Sequence, residues 1–337
     1  MDIKQTLFAL SDADSVGNIA EAAALAEEML AQCCRVTKTD NLSVIGFLEG
    51  ERDYTLMLDA HIDQISMVVT HIDDNGFLTV SNAGGIDIRA LPSRRVTIHG
   101  RKKITGVFAS VPPHLAKGEE VYDDISKIKL DTLLGARAKE LVSIGDFVTL
   151  SGGLQRLLGT RVTGRSFDNR ASVAVIIEIA KRLMNKTLPF NVAFVLSDGE
   201  ELGLRGSKTA TFKVNPQEAI VLDVSFGDGP GISSEESGEL GKGGMIGISP
   251  MLDRRMSQRL MDIAKENGIP YQTEVMGRST GTNADVVSVT REGVRTVTLS
   301  VPLRNMHSDV EALDLKDLEG ICDLVCRYIL SGGVMND

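Results

Sequence analysis

The chain has 337 residues, with 46 Asp plus Glu against 36 Lys plus Arg, and 42% of its residues are hydrophobic. A formal net charge of -10 disfavours a nucleic-acid or anionic-membrane partner, because both require a concentrated basic surface. The length corresponds to about two domains, and no apolar run approaches the roughly 18–20 residues that cross a bilayer. The first residues also lack the basic-then-apolar pattern of a secretory signal, so we expect a cytoplasmic protein.

The first 72 residues predict a helix followed by buried strands. Residues 16–34 carry small and apolar side chains at helical spacing, which predicts an amphipathic helix. Strand-like runs follow at residues 42–47, 54–59 and 66–72, and the second of them leads into the segment AHIDQ.

The texture changes from residue 73 to about residue 162. Short β-type runs such as FLTV, RVTIH and DFVTL are separated by turn-forming segments such as DDNG, NAGG and SGG, and no helix longer than about ten residues is expected. This pattern predicts a small β-rich domain at residues 73–162, inserted into a second domain that comprises residues 1–72 and 163–337.

Strands and helices alternate after the insertion. A helix is predicted at residues 169–185, apolar strands at 191–198, 218–225 and 294–301, and an amphipathic helix at 256–268 that ends at Gly268 and Pro270. Such alternation indicates an α/β layered domain with a mixed central sheet.

Acidic residues and histidines follow the ends of the apolar strands, where α/β folds place ligands. These residues are His61, Asp63, Asp168, Glu200, Glu201, Asp223 and His307. Two histidines and three carboxylates would satisfy a site for two divalent ions, which needs a bridging carboxylate and about two further ligands for each ion. A carboxylate left over beside such a site, as Glu200 is beside Glu201, would be free to act as a general base.

The chain resembles the metallo-aminopeptidases of peptidase family forty-two, which include the glutamyl and tetrahedral aminopeptidases. The resemblance rests on the order and spacing of the segments AHIDQIS, RSFDNRAS, SDGEELGLRGS, VLDVSFGDGPG, TGTNADVVS and VPLRNMHS. It extends into the inserted region through GVFASVPPHL and VSIGDFVTL, and thus over nearly the whole chain.

The resemblance implies a role for each candidate residue. Asp168 would bridge the two metal ions, His61 and Asp223 would complete one of them, and Glu201 and His307 would complete the other. Glu200 would be the general base, and Asp63 would orient the imidazole of His61. The ions would be zinc in the first place, with cobalt or manganese as alternatives.

The resemblance also implies a fold, a reaction and an assembly. The fold would be a zinc-peptidase-like α/β catalytic domain interrupted by a β-rich dimerisation domain. The reaction would be hydrolysis of the N-terminal residue from short peptides, with a metal-bridging water as the nucleophile. The subunits would form dimers that assemble into a dodecamer.

The sequence departs from the usual family pattern at Gln64, Ser66 and Asn283. Gln64 stands where the family commonly has Glu, and Asn283 stands where a G-T-D-A motif has Asp. If the loop of Asn283 lines the substrate pocket, binding of a cationic group there would be weakened.

Two other functions remain open at this stage. One is metal-independent glycoside hydrolysis of the endoglucanase type, which needs two suitably spaced carboxylates. The other is a non-catalytic oligomeric scaffold, for which a general base such as Glu200 would have no use.

Overall fold

A computed structural model describes residues 2–112, 114–115 and 124–334. The α-helices in these residues are α1 Ile3–Asp12, α2 Glu21–Ala31, α3 Ala138–Leu141, α4 Phe167–Leu183, α5 Arg205–Val214, α6 Arg254–Asn267, α7 Ala284–Val287 and α8 Leu315–Leu330. The strands are β1 Ser15–Val16, β2 Ile19–Ala20, β3 Arg35–Lys38, β4 Val44–Leu48, β5 Thr55–His61, β6 Ser66–Ile72, β7 Leu78–Ala83, β8 Arg95–His99, β9 Lys103–Phe108, β10 Leu130–Asp131, β11 Phe147–Leu150, β12 Gln155–Arg156, β13 Arg161–Gly164, β14 Asn191–Ser197, β15 Glu218–Phe226, β16 Gly244–Ile248, β17 Tyr271–Val275, β18 Arg295–Leu303 and β19 Glu311–Asp314.

The centre of the fold is an eight-stranded mixed sheet in the order β17-β16-β18-β15-β5-β14-β4-β3. Strands β14, β5, β15 and β18 run parallel to one another, whereas β4 pairs antiparallel with β14 and β3 pairs antiparallel with β4. Because the carboxyl ends of the four parallel strands meet at one edge, this edge is where the fold can gather functional side chains. The predicted α/β class with a mixed central sheet is confirmed.

Helices cover both faces of the sheet, and the side chains of β5 show why. Leu56 and Leu58 join an apolar cluster with α1, α2, α4, α6 and α8, whereas Met57 points to the opposite face and packs in a cluster with α5 and α7. Successive strand residues alternate between faces, so the consecutive apolar side chains of β5 require cover on both sides of the sheet.

Six strands form a separate closed barrel in the order β10-β7-β6-β11-β8-β9. The barrel has an apolar core of its own, which includes Met67, Val80 and Phe108. The β-rich texture of this region is therefore confirmed, and the longest α-helix in its described residues is the four-residue α3. Strands β12 and β13, which follow the barrel, form a three-stranded sheet with the distant strand β19.

The barrel does not begin at the predicted boundary. Strand β6, at Ser66–Ile72, belongs to the barrel because it pairs with β7 and β11, although the predicted division assigned residues 1–72 to the catalytic domain. At the other end the last barrel strand is β11, and β13 pairs with β19 instead. The division into two domains and the dimerising role of the inserted one stay predictions.

The predicted N-terminal helix starts too early. Residues 15–20 form the hairpin of β1 and β2, and the helix begins at Glu21. Gly17 has a φ of +57°, and a Cβ there would lie 2.3 Å from the ring of Phe147, so glycine is required at this turn. The helix α1 and the edge strand β3 were not predicted.

Among the helices of the described residues, none has the combination of length and apolar character that spanning a bilayer requires.

Candidate metal centre

The predicted site residues lie together at the carboxyl edge of the parallel strands. His61 is the last residue of β5, Asp223 lies in β15, and Glu200 and Glu201 occupy the turn between β14 and α5. His307 follows β18. Asp168 reaches the same edge from the beginning of α4, just after β13.

Asp168 lies between two imidazoles. Its Oδ1 atom is 3.1 Å from Nε2 of His61, and its Oδ2 atom is 3.2 Å from Nε2 of His307. Each imidazole also faces a second carboxylate: Nε2 of His61 is 3.8 Å from Oδ1 of Asp223, and Nε2 of His307 is 3.5 Å from Oε1 of Glu201. Two imidazole–carboxylate pairs thus lie on either side of one shared carboxylate.

Asp63 contacts both His61 and the Glu200–Glu201 turn. Nδ1 of His61 lies 3.3 Å from the backbone oxygen of Asp63 and 3.5 Å from its Oδ1 atom. The same carboxylate accepts hydrogen bonds from the backbone N–H groups of Glu200, at 3.0 Å, and Glu201, at 3.2 Å. Asp63 therefore leaves Nε2 of His61 free to face the centre and fixes the turn that carries the two glutamates.

Burial and mutual repulsion distort the acid–base equilibria of this cluster. Burial and the nearby Asp168 raise the pKa of Glu201 to about 8, and burial raises the pKa of Asp223 well above its usual range. The hydrogen bond to Asp168 raises the pKa of His307 to about 9. Burial alone would lower the pKa of His61, but its hydrogen bonds to Asp168 and Asp63 raise it well above its ordinary value.

These directions describe a site in which closely spaced carboxylates outnumber the imidazoles, so added positive charge would stabilise it. Imidazole nitrogens and carboxylate oxygens are ligands that zinc and related divalent ions prefer. The donor atoms of His61, Asp168 and Glu201 all lie within 4.8 Å of one another, so the centre is compact enough to hold metal ions. The residues present therefore fit a divalent cation both in donor type and in charge.

The barrel also reaches the centre, which the sequence did not predict. A Cβ at Gly85 would lie 2.7 Å from Nδ1 of His307, and one at Gly84 would lie 3.3 Å from Oε2 of Glu201. The loop after β7 can approach both side chains so closely because it has no side chains at these positions. The sequence of the NAGG segment predicts only a turn.

Glu311 is a second residue that sequence reasoning missed. Its buried carboxylate accepts hydrogen bonds from the backbone N–H groups of Asp168 and His307. Its only sequence signal is its place four residues after His307, which does not distinguish it from a surface acid.

Gln64 and Asn283, which depart from the family pattern, form side-chain hydrogen bonds within the protein. Oε1 of Gln64 accepts a hydrogen bond from Nη2 of Arg170, at 3.2 Å. The buried side chain of Asn283 donates to Oδ2 of Asp59, at 2.8 Å, and to Oγ of Ser197, at 3.0 Å. The amide of Asn283 is thus occupied by a buried carboxylate of the protein itself, and burial raises the pKa of that Asp59 carboxyl to about 7.

The chain is similar in sequence to known aminopeptidases. The family model for M42 glutamyl aminopeptidases matches residues 43–324. The chain is 33% identical to the lysyl aminopeptidase of Pyrococcus furiosus over 310 residues, which cover 89% of this chain and 88% of that protein.

Two solved structures extend this similarity to the backbone. The TET aminopeptidase from the marine sediment archaeon Thaumarchaeota archaeon SCGC AB-539-E09 superposes with a TM-score of 0.93 at 26% identity, covering 98% of this chain and 97% of that one. The TET1 peptidase of Pyrococcus horikoshii, described as assembling into a tetrahedron or a large octahedral shell, superposes with a TM-score of 0.86 at 28% identity. The match to the TET1 peptidase covers 98% of this chain and 99% of the TET1 chain.

Proposed function

The chain belongs to the M42 glutamyl aminopeptidase family and is a hydrolase that acts on peptides, and from this premise we propose that it removes N-terminal residues with the help of two divalent metal ions. The observation that carries the proposal is the position of Asp168. Its two carboxylate oxygens face two different imidazoles, His61 and His307, as a carboxylate shared by two ions would have to do.

The proposed ligands divide into two groups around Asp168. His61 and Asp223 would hold one ion, and Glu201 and His307 would hold the other. Bound ions would supply Lewis-acid chemistry, lowering the pKa of a water molecule and polarising the carbonyl of the scissile bond. Zinc suits the mixture of imidazole and carboxylate donors, and cobalt and manganese are accepted by the same donor types.

Glu200 would transfer the proton of the reaction. Its carboxylate takes a proton from the attacking water as the oxygen adds to the peptide carbonyl carbon, and returns it to the nitrogen as the C–N bond breaks. Burial raises the pKa of Glu200 above its ordinary value, which makes its carboxylate a stronger base. Asp63 supports this role because its Oδ1 atom accepts the backbone N–H of Glu200.

The two alternative functions explain less of the site. Metal-independent glycoside hydrolysis requires two carboxylates but gives no role to the imidazoles on either side of Asp168, and the family is a peptidase family. A non-catalytic scaffold gives no role to the half-buried Glu200. Neither alternative is favoured by a separate observation.

Peptides are the proposed substrates, and a homo-oligomer built from dimers up to a dodecamer is the proposed assembly. The tetrahedral form described for the TET1 peptidase supports this assembly. The barrel offers apolar side chains for a subunit contact, because Leu133 is 85% exposed and Ile144 is 68% exposed. We assign dimerisation to the barrel on this ground, and light scattering that finds a monomer at micromolar concentration would contradict it. The cytoplasmic location stays a prediction.

The test of the proposed function is a panel of aminoacyl-anilides and short peptides, assayed with the metal-free protein and again after addition of zinc, cobalt or manganese. We expect hydrolysis of the N-terminal residue that is lost on chelation and restored by metal. Absence of hydrolysis with every metal and side chain would contradict the proposal, and cleavage of a β-glucan that resists chelation would favour the glycosidase instead.

A further inference from the structure

Glu311 lies at the centre but is outside the proposed sets of metal ligands. It is the first residue of β19, and its side chain is buried. Three backbone N–H groups donate to its carboxylate. Oε2 accepts from Phe167, at 2.6 Å, and from Asp168, at 3.2 Å, whereas Oε1 accepts from His307, at 3.0 Å.

These three donors belong to two segments that are distant in the sequence. Phe167 and Asp168 begin α4, and His307 lies in the loop between β18 and β19. Glu311 reaches both segments because β19 pairs with β13, with Glu311 opposite Gly164. One carboxylate therefore joins the backbone of the shared aspartate to the backbone of a histidine that faces it.

Both segments need such a restraint. Ser166, just before α4, has a φ of +56°, and His307 has a φ of +62°. Residues other than glycine rarely adopt this left-handed region, and they stay in it where surrounding contacts determine their conformation. The hydrogen bonds that Glu311 accepts are donated by His307 itself and by the two residues that follow Ser166.

We propose that Glu311 is the positioning residue of the metal centre. By holding the backbones of Asp168 and His307 at a fixed separation, it sets the geometry in which these two side chains bind metal. Its two oxygens are engaged by backbone donors, so it acts through the ligands rather than as a ligand. This inference rests on the proposed function, since it assigns the residue that prepares the proposed metal ligands.

The test compares Glu311→Gln with the matched variant Asp317→Asn. Asp317, in α8, is also a buried carboxylate that accepts two backbone N–H groups, from Gly241 at 2.8 Å and Gly243 at 2.7 Å. In each variant an amide NH₂ replaces one acceptor oxygen and faces a backbone donor. Both variants should therefore lower the melting temperature of the metal-free protein, but the metal centre is affected only by the first.

Metal affinity is measured by titrating each metal-free protein with Co²⁺ in competition with a chelator, following the visible absorption of the bound ion. We expect Glu311→Gln to bind about 10–100-fold more weakly than the unmodified protein, the range typical for residues that orient ligands. Asp317→Asn should bind with unchanged affinity. Equal affinity in Glu311→Gln, or an equal loss in Asp317→Asn, would overturn the inference.

Two further outcomes are distinguishable. If Glu311→Gln does not fold, Glu311→Asp takes its place, because it keeps the charge while its carboxylate stops one methylene short of the donors; unchanged affinity in that variant would overturn the inference. If the unmodified protein binds no divalent ion, the proposed function fails and this inference fails with it. Normal binding by the unmodified protein and by both Glu311 variants would overturn the inference alone.

Discussion

The carboxyl edge of the central sheet and the interior of the barrel bury opposite kinds of side chain. The edge buries carboxylates and imidazoles around Asp168, and burial raises the pKa of the Glu201 and Asp223 carboxyl groups. The barrel buries apolar side chains such as Met67, Val80 and Phe108 in a core separate from those of the sheet. Burying apolar area favours folding, whereas burying like charges opposes it, so the edge depends on the rest of the molecule for its stability.

The two regions meet at a contact that involves glycine. The loop after β7 brings Gly84 and Gly85 against Glu201 and His307. A barrel with its own core can thus form one wall of the site without contributing a side chain to it at these two positions. The stability of the barrel and the chemistry of the edge thus depend on different side chains that meet at this contact. The following changes test whether the two can be separated.

The largest effect is expected at the edge, from Glu200→Gln. The amide cannot accept the proton of the attacking water, so kcat should fall by about 10²–10⁴-fold. Metal content should not change, because Glu200 is not a proposed ligand. Glu235→Gln, at an exposed position, is the control for loss of one carboxylate. Unchanged kcat in Glu200→Gln would remove this residue from the mechanism.

The matching change in the barrel is Phe108→Ala. Phe108 is fully buried, and its loss should reduce the free energy of unfolding by about 3–5 kcal/mol, measured by urea denaturation. The affinity of the folded protein for metal should stay the same. Phe194→Ala makes the same truncation in the central sheet, at an equally buried position. Loss of metal binding in Phe108→Ala would show that the two regions are not separable.

Asp14→Asn tests a junction between the barrel and the rest of the chain. Asp14 is buried and faces Arg165, His99 and Lys103, with Glu21 bound to the same lysine. Burial alone would raise the pKa of Asp14, but the guanidinium of Arg165 and the other cations lower it below its usual value. The variant should reduce the free energy of unfolding at neutral pH by about 1.5–3 kcal/mol, the range for hydrogen bonds to charged groups.

The loss of stability in Asp14→Asn depends on pH because the pKa of Asp14 is lowered in the folded protein. A carboxyl group with a lowered pKa stabilises the fold above its unfolded pKa of about 3.9, and this contribution disappears as the pH falls through the lower folded value. The difference between the unmodified protein and Asp14→Asn should therefore shrink below about pH 4. Burial lowers the pKa of His99 and Asp14 counteracts this shift, so the pKa of His99 should be lower still in Asp14→Asn. A difference that stays constant down to pH 2 would contradict the account.

The smallest effect is expected from Gly85→Ala, at the boundary itself. The added Cβ would lie 2.7 Å from Nδ1 of His307, so the imidazole must move and metal affinity should fall by about 10-fold. Gly153→Ala is the control, because a Cβ at that position meets no atom within 4 Å. Equal metal affinity in Gly85→Ala and the unmodified protein would mean that the barrel loop does not restrict the position of the His307 imidazole.

The sequence was informative where local pattern and position coincide. Apolar strands that end in acids or histidine predicted the edge of the sheet, and the structure brings His61, Asp168 and His307 together there. Helix α6 was predicted to end at Gly268, and it ends at Asn267 with Gly268 in the left-handed conformation. In both cases the signal lies in neighbouring residues.

What the sequence did not reveal depends on pairing between distant segments. Glu311 reaches Asp168 because β19 lies beside β13, a pairing that no local pattern specifies. The order of strands in the barrel is likewise a set of long-range contacts, so its texture was predictable but its closure and its start at Ser66 were not. The helix predicted from residue 16 was wrong at its start because Gly17 turns the chain into a hairpin.

The number of metal ions per subunit tests the central claim most directly. The metal-free protein is saturated with zinc, freed of excess metal by gel filtration, and analysed for zinc and protein in the same sample. The account predicts two ions per subunit, because Asp168 can be shared by two sets of ligands, and a reduced number in Asp168→Asn. One ion or none per subunit in the unmodified, active protein would contradict it.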